Sequence, residues 1–417
     1  MSFQQGLSGL SAASANLDVI GNNVANVNTV GFKQSQAQFA DVFSVSLDGS
    51  GASDIGGGAR VAAIAQEFSQ GAIATTSNPL DIAIRGQGFF RMSDNGVISY
   101  SRNGQFHPDA NGYLVDATNT NLTGNLVDAT GNIVAGNPAN LRLPTAGLAA
   151  QATTNLDWGF NLDSRLPLPS PVPVFDATNS DTYQSTRSAT IFDSLGNSHI
   201  FQIYFQKSAA NTWDTHAAVD GKLTGAGLPV GITLSAAQLV FDTNGKLTNP
   251  VAPIDVSVDL TAIDPALGAT APLDFKLDLT SSTQYGLGFS DFSLSQDGFT
   301  AGDLVGFKVG TNGLIQGSYS NNQTRTLGQV VLANFANPQG LDPIGDNHWV
   351  ETPASGQPLI GPPTTGTFGE LQGSAVESAN VDLTAELVKM ITAQRMYQAN
   401  AKTIETQDAV LQTLVNL

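Results

Sequence analysis

Along the first 30 residues, Leu7, Leu10, Ala13, Leu17, Ile20, Val24 and Val27 follow steps of 3, 3, 4, 3, 4 and 3. That spacing gathers them on one stripe of an α-helix. It predicts a helix from about Phe3 to Asn28, opened by a capping box of Ser2 with Gln5 and stopped at Gly31. The other end repeats the pattern: Leu383, Leu387, Met390, Gln394, Tyr397, Ala401, Ile404, Asp408, Leu411 and Val415 alternate steps of 4 and 3. This is a heptad seam. Asp382 is the expected N-cap, and no Gly or Pro follows Gly373. The second helix should therefore run roughly 35 residues, about 50 Å at 1.5 Å per residue.

Two seams, one at each end of a chain, are explained if the helices pair with each other; the alternative is that each packs on its own domain. Two features favour pairing and further assembly. The polar face of the first helix carries Asn16, Asn22, Asn23, Asn26 and Asn28 rather than Lys and Glu, as a face turned to protein would. Gln394 and Asp408 within the second seam cost stability in an isolated pair but can fix register in an assembly. The expected assembly interface is thus Leu7, Leu10, Leu17, Ile20, Val24 and Val27 with Leu383, Leu387, Met390, Tyr397, Ile404 and Leu411.

Between the helices the period changes to two. Leu156–Leu162, Ile254–Leu260 and Phe275–Leu279 alternate apolar and polar residues, as half-buried strands do. Asn-Gly at 95, 103, 111, 244 and 312 and Asp-Gly at 48, 220 and 297 mark tight hairpins. Residues 48–58 read as a loop, and Pro167, Pro169, Pro171 and Pro173 as an extended connector or sheet edge, a polyproline ligand being the lesser alternative. The chain reads as α+β and mainly β: two antiparallel β domains, the second inserted in the first, with N- and C-terminal α-helices pairing in a coiled-coil-like inner domain. The expected divisions are residues 1–71 (helix and linker), 72–147 (first β domain), 148–299 (inserted outer β domain), 300–371 (first β domain resumed) and 372–417 (C-terminal helix).

Composition narrows the partners. With 17 Lys+Arg against 35 Asp+Glu the net charge is 17 − 35 = −18, which disfavours nucleic acid and anionic membrane. No run approaches the roughly 18 apolar residues of a spanning helix, so no membrane insertion is expected. The absence of Cys removes disulfides, thiolate zinc sites and thiol nucleophiles. The first basic residue is Lys33, so a cleaved signal peptide is not expected.

Catalytic constellations are missing. His107, His199, His216 and His348 form no metal spacing, no Ser has Gly at both −2 and +2, and no phosphate loop occurs. Asp109-Ala-Asn-Gly112 and Asp242-Thr-Asn-Gly245 hold fragments of a calcium loop without its closing Glu, and hairpin turns explain them better. No cofactor, metal site or enzyme activity is expected; a carboxylate pair of the glycosidase kind is the one arrangement that 35 acids leave open.

Certain residues go beyond a generic seam. Asn16-Leu-Asp-Val-Ile-Gly-Asn-Asn-Val-Ala-Asn26, Thr29 and Gly31-Phe-Lys33 resemble the N-terminal motif of the bacterial flagellar rod and hook axial proteins. Ala379-Asn-Val-Asp-Leu383, Glu386–Ile391 and Gln394–Ile404 resemble the matching C-terminal motif. Tyr100–Phe106 and Leu332–Pro338 are similar to the hook branch of that family, so the resemblance covers about residues 1–115 and 300–417.

The resemblance implies a structural hook subunit: a homo-polymer forming a curved, flexible tube outside the cell, acting as a universal joint. Its implied partners are rod and hook-filament junction proteins, a hook cap, a length-control protein and the flagellar type III export apparatus. Phe39-Ala-Asp-Val-Phe43 has the form of that family's export-gate element; two aromatics anchoring the helix to a β domain explain it equally well. A distal rod or hook-associated axial protein is the nearest alternative, and a surface carbohydrate-binding β protein the alternative from another class.

Overall fold

The computed structural model describes residues 3–42, 57–128, 131–134, 136–144, 146–223, 232–234, 238–263, 266 and 268–415. It divides into two compact units: residues 1–145 with 305–318 and 324–417, and residues 146–304 with 319–323.

In the first unit, helix α1 (Phe3–Ala25) is followed by a two-stranded antiparallel pair, β1 (Ser35–Asp41) and β2 (Ala59–Gln66). The helix ends three residues before the expected Asn28. Asn26 still donates to the Asn22 carbonyl at 3.1 Å, but Thr29 then bonds back to Asn26 through both its amide and its hydroxyl. Asparagines favour such turns over helix interior. Ser2 and the Asp48-Gly49 pair lie outside the described residues.

The main sheet of this unit is woven from two distant parts of the chain. Strand Phe89–Asp94 pairs with Val97–Ser101 and Asn121–Asn125, and Asn121–Asn125 in turn with Thr324–Val330. Ile73–Thr75 pairs with Ala375–Glu377, and Ile82–Arg85 with Glu370–Gly373, so the outgoing and returning chains zip together. The core below holds Ile82, Ile84, Phe90, Met92, Phe106 and Leu332. A second cluster stacks Phe89, Tyr100, Phe335 and Trp349 edge to face with Phe68.

The second unit has two sheets sharing one core. The first centres on Asn155–Asp163, flanked by Leu273–Asp278 on one edge and by Ser290–Gln296 on the other, with Thr283–Tyr285 also paired to it and Ile254–Val258 beyond Leu273–Asp278; the second runs Ser185–Phe192, Ser198–Ala209, Thr212–Val219, Gln238–Phe241. Alternation read from sequence is realised: Ile254, Val256 and Val258 are buried while Asp255 is exposed, and Leu273, Phe275 and Leu277 face the same core. Two short parallel pairings, of Asn155–Asp163 with Leu273–Asp278 and with Thr283–Tyr285, break an otherwise antiparallel pattern. The short helix α2 (Leu260–Ile263) follows Ile254–Val258.

Five of the eight hairpin signals turn hairpins, at 95, 111, 220, 244 and 312. Asn95 with Gly96 (φ 48° and 95°) and Asp220 with Gly221 (φ 50° and 75°) adopt the left-handed pairs that a two-residue turn requires. Asp297 does something else: its carboxylate accepts from the amides of Thr154 and Asn155 and from both their side chains, clamping two distant segments. Gly104 is required by contact, since a Cβ there would meet the Ile82 carbonyl at 1.7 Å.

Candidate assembly interface

Helix α3 (Leu383–Val415) is capped as its sequence implied: Asp382 Oδ1 accepts from the amides of Thr384 and Ala385 at 2.9 and 3.1 Å. It runs antiparallel to α1. Asn23, near the end of α1, bonds Glu386 at 3.2 Å near the start of α3, while Gly6 and Gly9 face Ile404 and Asn400. A Cβ on Gly9 would reach the Asn400 amide at 2.9 Å, so the small residues Gly6, Gly9 and Ala13 let the two backbones approach closely.

The contact stripe is therefore displaced from the apolar one. On α1 the buried residues are Gly6, Ala13, Val19, Ile20 and Asn23. Of the expected interface residues Ile20 is buried, Leu10, Leu17, Val24 and Val27 are half-buried, and Leu7 is exposed. On α3, Glu386 and Ala393 are the buried ones among the described residues. Met390 and Ile404 are half-buried, and Leu383, Leu387, Tyr397 and Leu411 stand exposed. Val388, Ile391, Met396 and Val410 were not singled out from sequence, yet they too are exposed, at 57%, 51%, 51% and 54%. The doublets Leu387-Val388, Met396-Tyr397 and Val410-Leu411 were the available signal, because adjacent apolar residues widen a helical stripe.

Polar ties hold the pair to the β structure. Asn23 exchanges two hydrogen bonds with the Ser35 backbone at 2.8 and 2.9 Å, joining α1 to β1. Asn380, just ahead of α3, accepts from the Gln34 amide at 2.7 Å and donates to the Glu67 carbonyl at 2.8 Å. Gly31 donates to the Glu377 carbonyl at 2.8 Å in a left-handed conformation (φ 72°), where a Cβ would strike the Asn103 amide at 2.5 Å. Beneath this point the Glu377 carboxylate is wholly buried. It meets Lys33 Nζ at 2.6 Å, Arg102 Nη1 at 3.1 Å and the Gly71 amide at 2.8 Å. Burial pulls the Lys33 ammonium below its usual pKa, against the attraction of Glu377 and with the help of Arg102.

Elsewhere two of the four histidines are structural pins. His348 links Ser99 at 2.9 Å to Asp116 at 2.7 Å, all three buried, and His199 lies 2.7 Å from Asp220. These partners lie on separate strands and turns, and sequence spacing did not reveal them. Asp109 and Asp242 accept two backbone amides each within their own turns. No group of three His, Cys, Asp or Glu residues able to hold a metal occurs among the described residues. Phe39 is 45% exposed on β1; Phe43 lies outside the described residues.

Four families match consecutive parts of the chain: "Flagella basal body rod protein" over residues 3–33, "Flagellar hook protein FlgE/F/G D1 domain" over 83–156, "Flagellar basal body protein FlaE D2 domain" over 161–299 and "Flagellar basal body rod FlgEFG protein C-terminal" over 372–417. The chain is 42% identical over 421 residues to the flagellar hook protein FlgE of Escherichia coli K12 and 43% over 423 residues to that of Salmonella typhimurium LT2, covering 100% of both chains in each case. It is 31% identical to the hook protein FlgE of Borreliella burgdorferi, over 100% of this chain and 99% of that one. Among solved structures, the Helicobacter pylori flagellar hook protein FlgE2 aligns with a TM-score of 0.54 at 13% identity, over 73% of this chain and 100% of that chain, a likeness of fold.

Proposed function

Since the chain belongs to the flagellar hook protein family, we propose that it polymerises through its terminal helices into the hook, a curved extracellular tube that passes torque from rod to filament as a universal joint. The observation that carries this reading is the uncovered apolar surface of α3. Leu383, Leu387, Val388, Ile391, Met396, Val410 and Leu411 are each between 43% and 57% exposed in the single chain. These side chains stand along and around the helix, so α3 offers apolar contact on more than one side, as a helix packed among several neighbours would. Fully burying one such side chain contributes about 1.5–3 kcal/mol.

The α1/α3 contact uses small and polar residues and leaves the apolar stripe for neighbouring copies. Because so little of α3 is buried within the chain, its order should depend on the polymer, as for other helices that lack tertiary cover. Rod, junction, cap and length-control proteins and the export apparatus are the partners this role requires, with Phe39 and Phe43 as the export-gate element. The absence of Cys in the chain supports passage without disulfide formation.

The test compares the full chain with the double variant Leu387→Asp/Leu411→Asp by sedimentation and electron microscopy under salting-out conditions. Tubes are expected from the first and monomers with unchanged unfolding temperature from the second. Equal polymerisation would sink the reading. For the joint, deleting residues 150–300 should yield tubes of altered curvature, and unaltered supercoiling would count against that part.

A further inference from the structure

Asn-Gly occurs five times in the chain, at 95, 103, 111, 244 and 312, and all five pairs lie among the described residues. Asparagine is chemically labile, and before glycine it has a route to react. The glycine amide nitrogen attacks the asparagine Cγ; the N–Cγ bond forms, the Cγ–Nδ2 bond breaks, and the amide proton leaves with the departing ammonia. The five-membered succinimide so formed takes up water and opens at either carbonyl, to aspartate or to isoaspartate. Glycine permits the ring because it has no Cβ to obstruct closure or backbone rotation. The fold decides which of the five pairs is free to react.

At three of them the attacking nitrogen is engaged. The amides of Gly112, Gly245 and Gly313 donate to the carbonyls of Asp109, Asp242 and Gly310 at 3.0, 3.0 and 2.9 Å, so attack by any of them requires a turn bond to break first. Asn103 is restrained differently: its Oδ1 accepts from the Gln105 amide at 3.1 Å, and Gly104 is buried against the Ile82 carbonyl.

Asn95 has neither restraint. Strands Phe89–Asp94 and Val97–Ser101 pair Asp94 with Val97, which leaves Asn95 and Gly96 outside the ladder at the hairpin tip, both exposed. The Gly96 amide has no acceptor among the described residues, and nothing lies within 4 Å of where a Gly96 Cβ would sit. The Asn95 side chain donates from Nδ2 to Asp94 Oδ1 at 2.8 Å, and its Oδ1 accepts from no donor among the described residues.

We propose that Asn95 is a site of spontaneous deamidation in the folded chain, the first of the five Asn-Gly pairs to convert, with water as the only co-reactant. The product sets a second carboxylate next to Asp94 and takes the net charge from −18 to −18 − 1 = −19. Isoaspartate also adds a carbon to the main chain of a two-residue turn, whose register places Phe90 and Met92 in the core. The inference concerns the single chain and stands apart from the polymer reading.

The test incubates the full chain at mildly alkaline pH, folded and, in parallel, unfolded in urea, and follows the conversion of amide to acid by mass spectrometry of tryptic peptides. Residues 92–102 form one such peptide, with Asn95 as its only asparagine. In the folded chain Asn95 should convert about fivefold or more faster than Asn111, Asn244 and Asn312, the order of magnitude that breaking one hydrogen bond beforehand imposes, and faster than Asn103. In urea all five should convert at similar rates. An isoaspartate-specific methyltransferase should label the converted 92–102 peptide, and Asn95→Gln, which would have to close a six-membered ring, should abolish both conversion and label there. Conversion of Asn95 no faster than at the turn-bonded pairs overturns the proposal, as does earlier conversion of Asn103. The same preference for Asn95 in urea would show that sequence rather than fold selects it, and would overturn the structural argument.

Discussion

Lys33 and Glu377, 344 positions apart in sequence, meet at 2.6 Å with neither side chain exposed to solvent. One residue follows α1 and the other precedes α3, so their pair fixes the roots of both terminal helices to the first β unit. Removing one partner of a buried pair leaves an uncompensated charge and typically costs about 3–5 kcal/mol. Glu377→Gln, which strands both Lys33 and Arg102, should lose that much in denaturant unfolding. Lys33→Met leaves the Arg102–Glu377 pair in balance and should lose clearly less; equal losses would contradict the charge count.

Gly31→Ala should destabilise the first unit by about 1–3 kcal/mol, the usual scale for a residue forced into a disfavoured backbone region. The added methyl meets the Asn103 amide, which is backbone and cannot swing aside. A thermal shift of less than a degree would refute the requirement.

Asn23→Ala removes three hydrogen bonds at once and leaves the Ser35 amide and Glu386 without that partner. A loss of about 1–3 kcal/mol is expected, with faster amide exchange in α1 and β1 and no change in the second unit. Uniform loss of protection across both units would show that Asn23 acts otherwise.

Acid should act through Asp116. Burial alone would raise its pKa, but hydrogen bonds from His348, Thr118 and the Thr120 amide outweigh that and hold it below the usual value. A depressed carboxylate contributes stability that is present above the unfolded value near 3.9 and is lost as pH falls through the folded value. The unfolding temperature of the first unit should therefore hold steady down to about pH 5 and fall below pH 4. Asp116→Asn should lose stability at neutral pH and show a smaller further drop on acidification; an identical pH profile would exclude this carboxylate.

Local pattern carried much of the architecture. The steps of three and four placed α1 and α3, Asp382 marked a cap, and the alternation from 254 marked a strand that runs to Val258, Leu260 instead opening α2, because each depends on neighbours a few residues away. The helix contact was displaced because close packing favoured Gly6, Gly9 and Ala13, whose lack of bulk outweighed the hydrophobicity of Leu7 and Leu10. Leu383, Leu387 and Leu411 marked a real apolar stripe, but nothing in their spacing says whether α1 or another chain covers it. The links of Lys33 to Glu377 and of His348 to Asp116 were invisible for a different reason: contacts across hundreds of residues leave no periodicity.

The pairing of Lys33 with Glu377 also sets an order in time. A chain made from its amino end presents Lys33 and Arg102 early, yet their counter-charge arrives only when nearly the whole sequence is available. Residues 146–304, by contrast, hold nearly all of the second unit before that moment. The inserted unit can therefore complete its core while its host is still open, and the host closes last, when both ends of the chain are in hand.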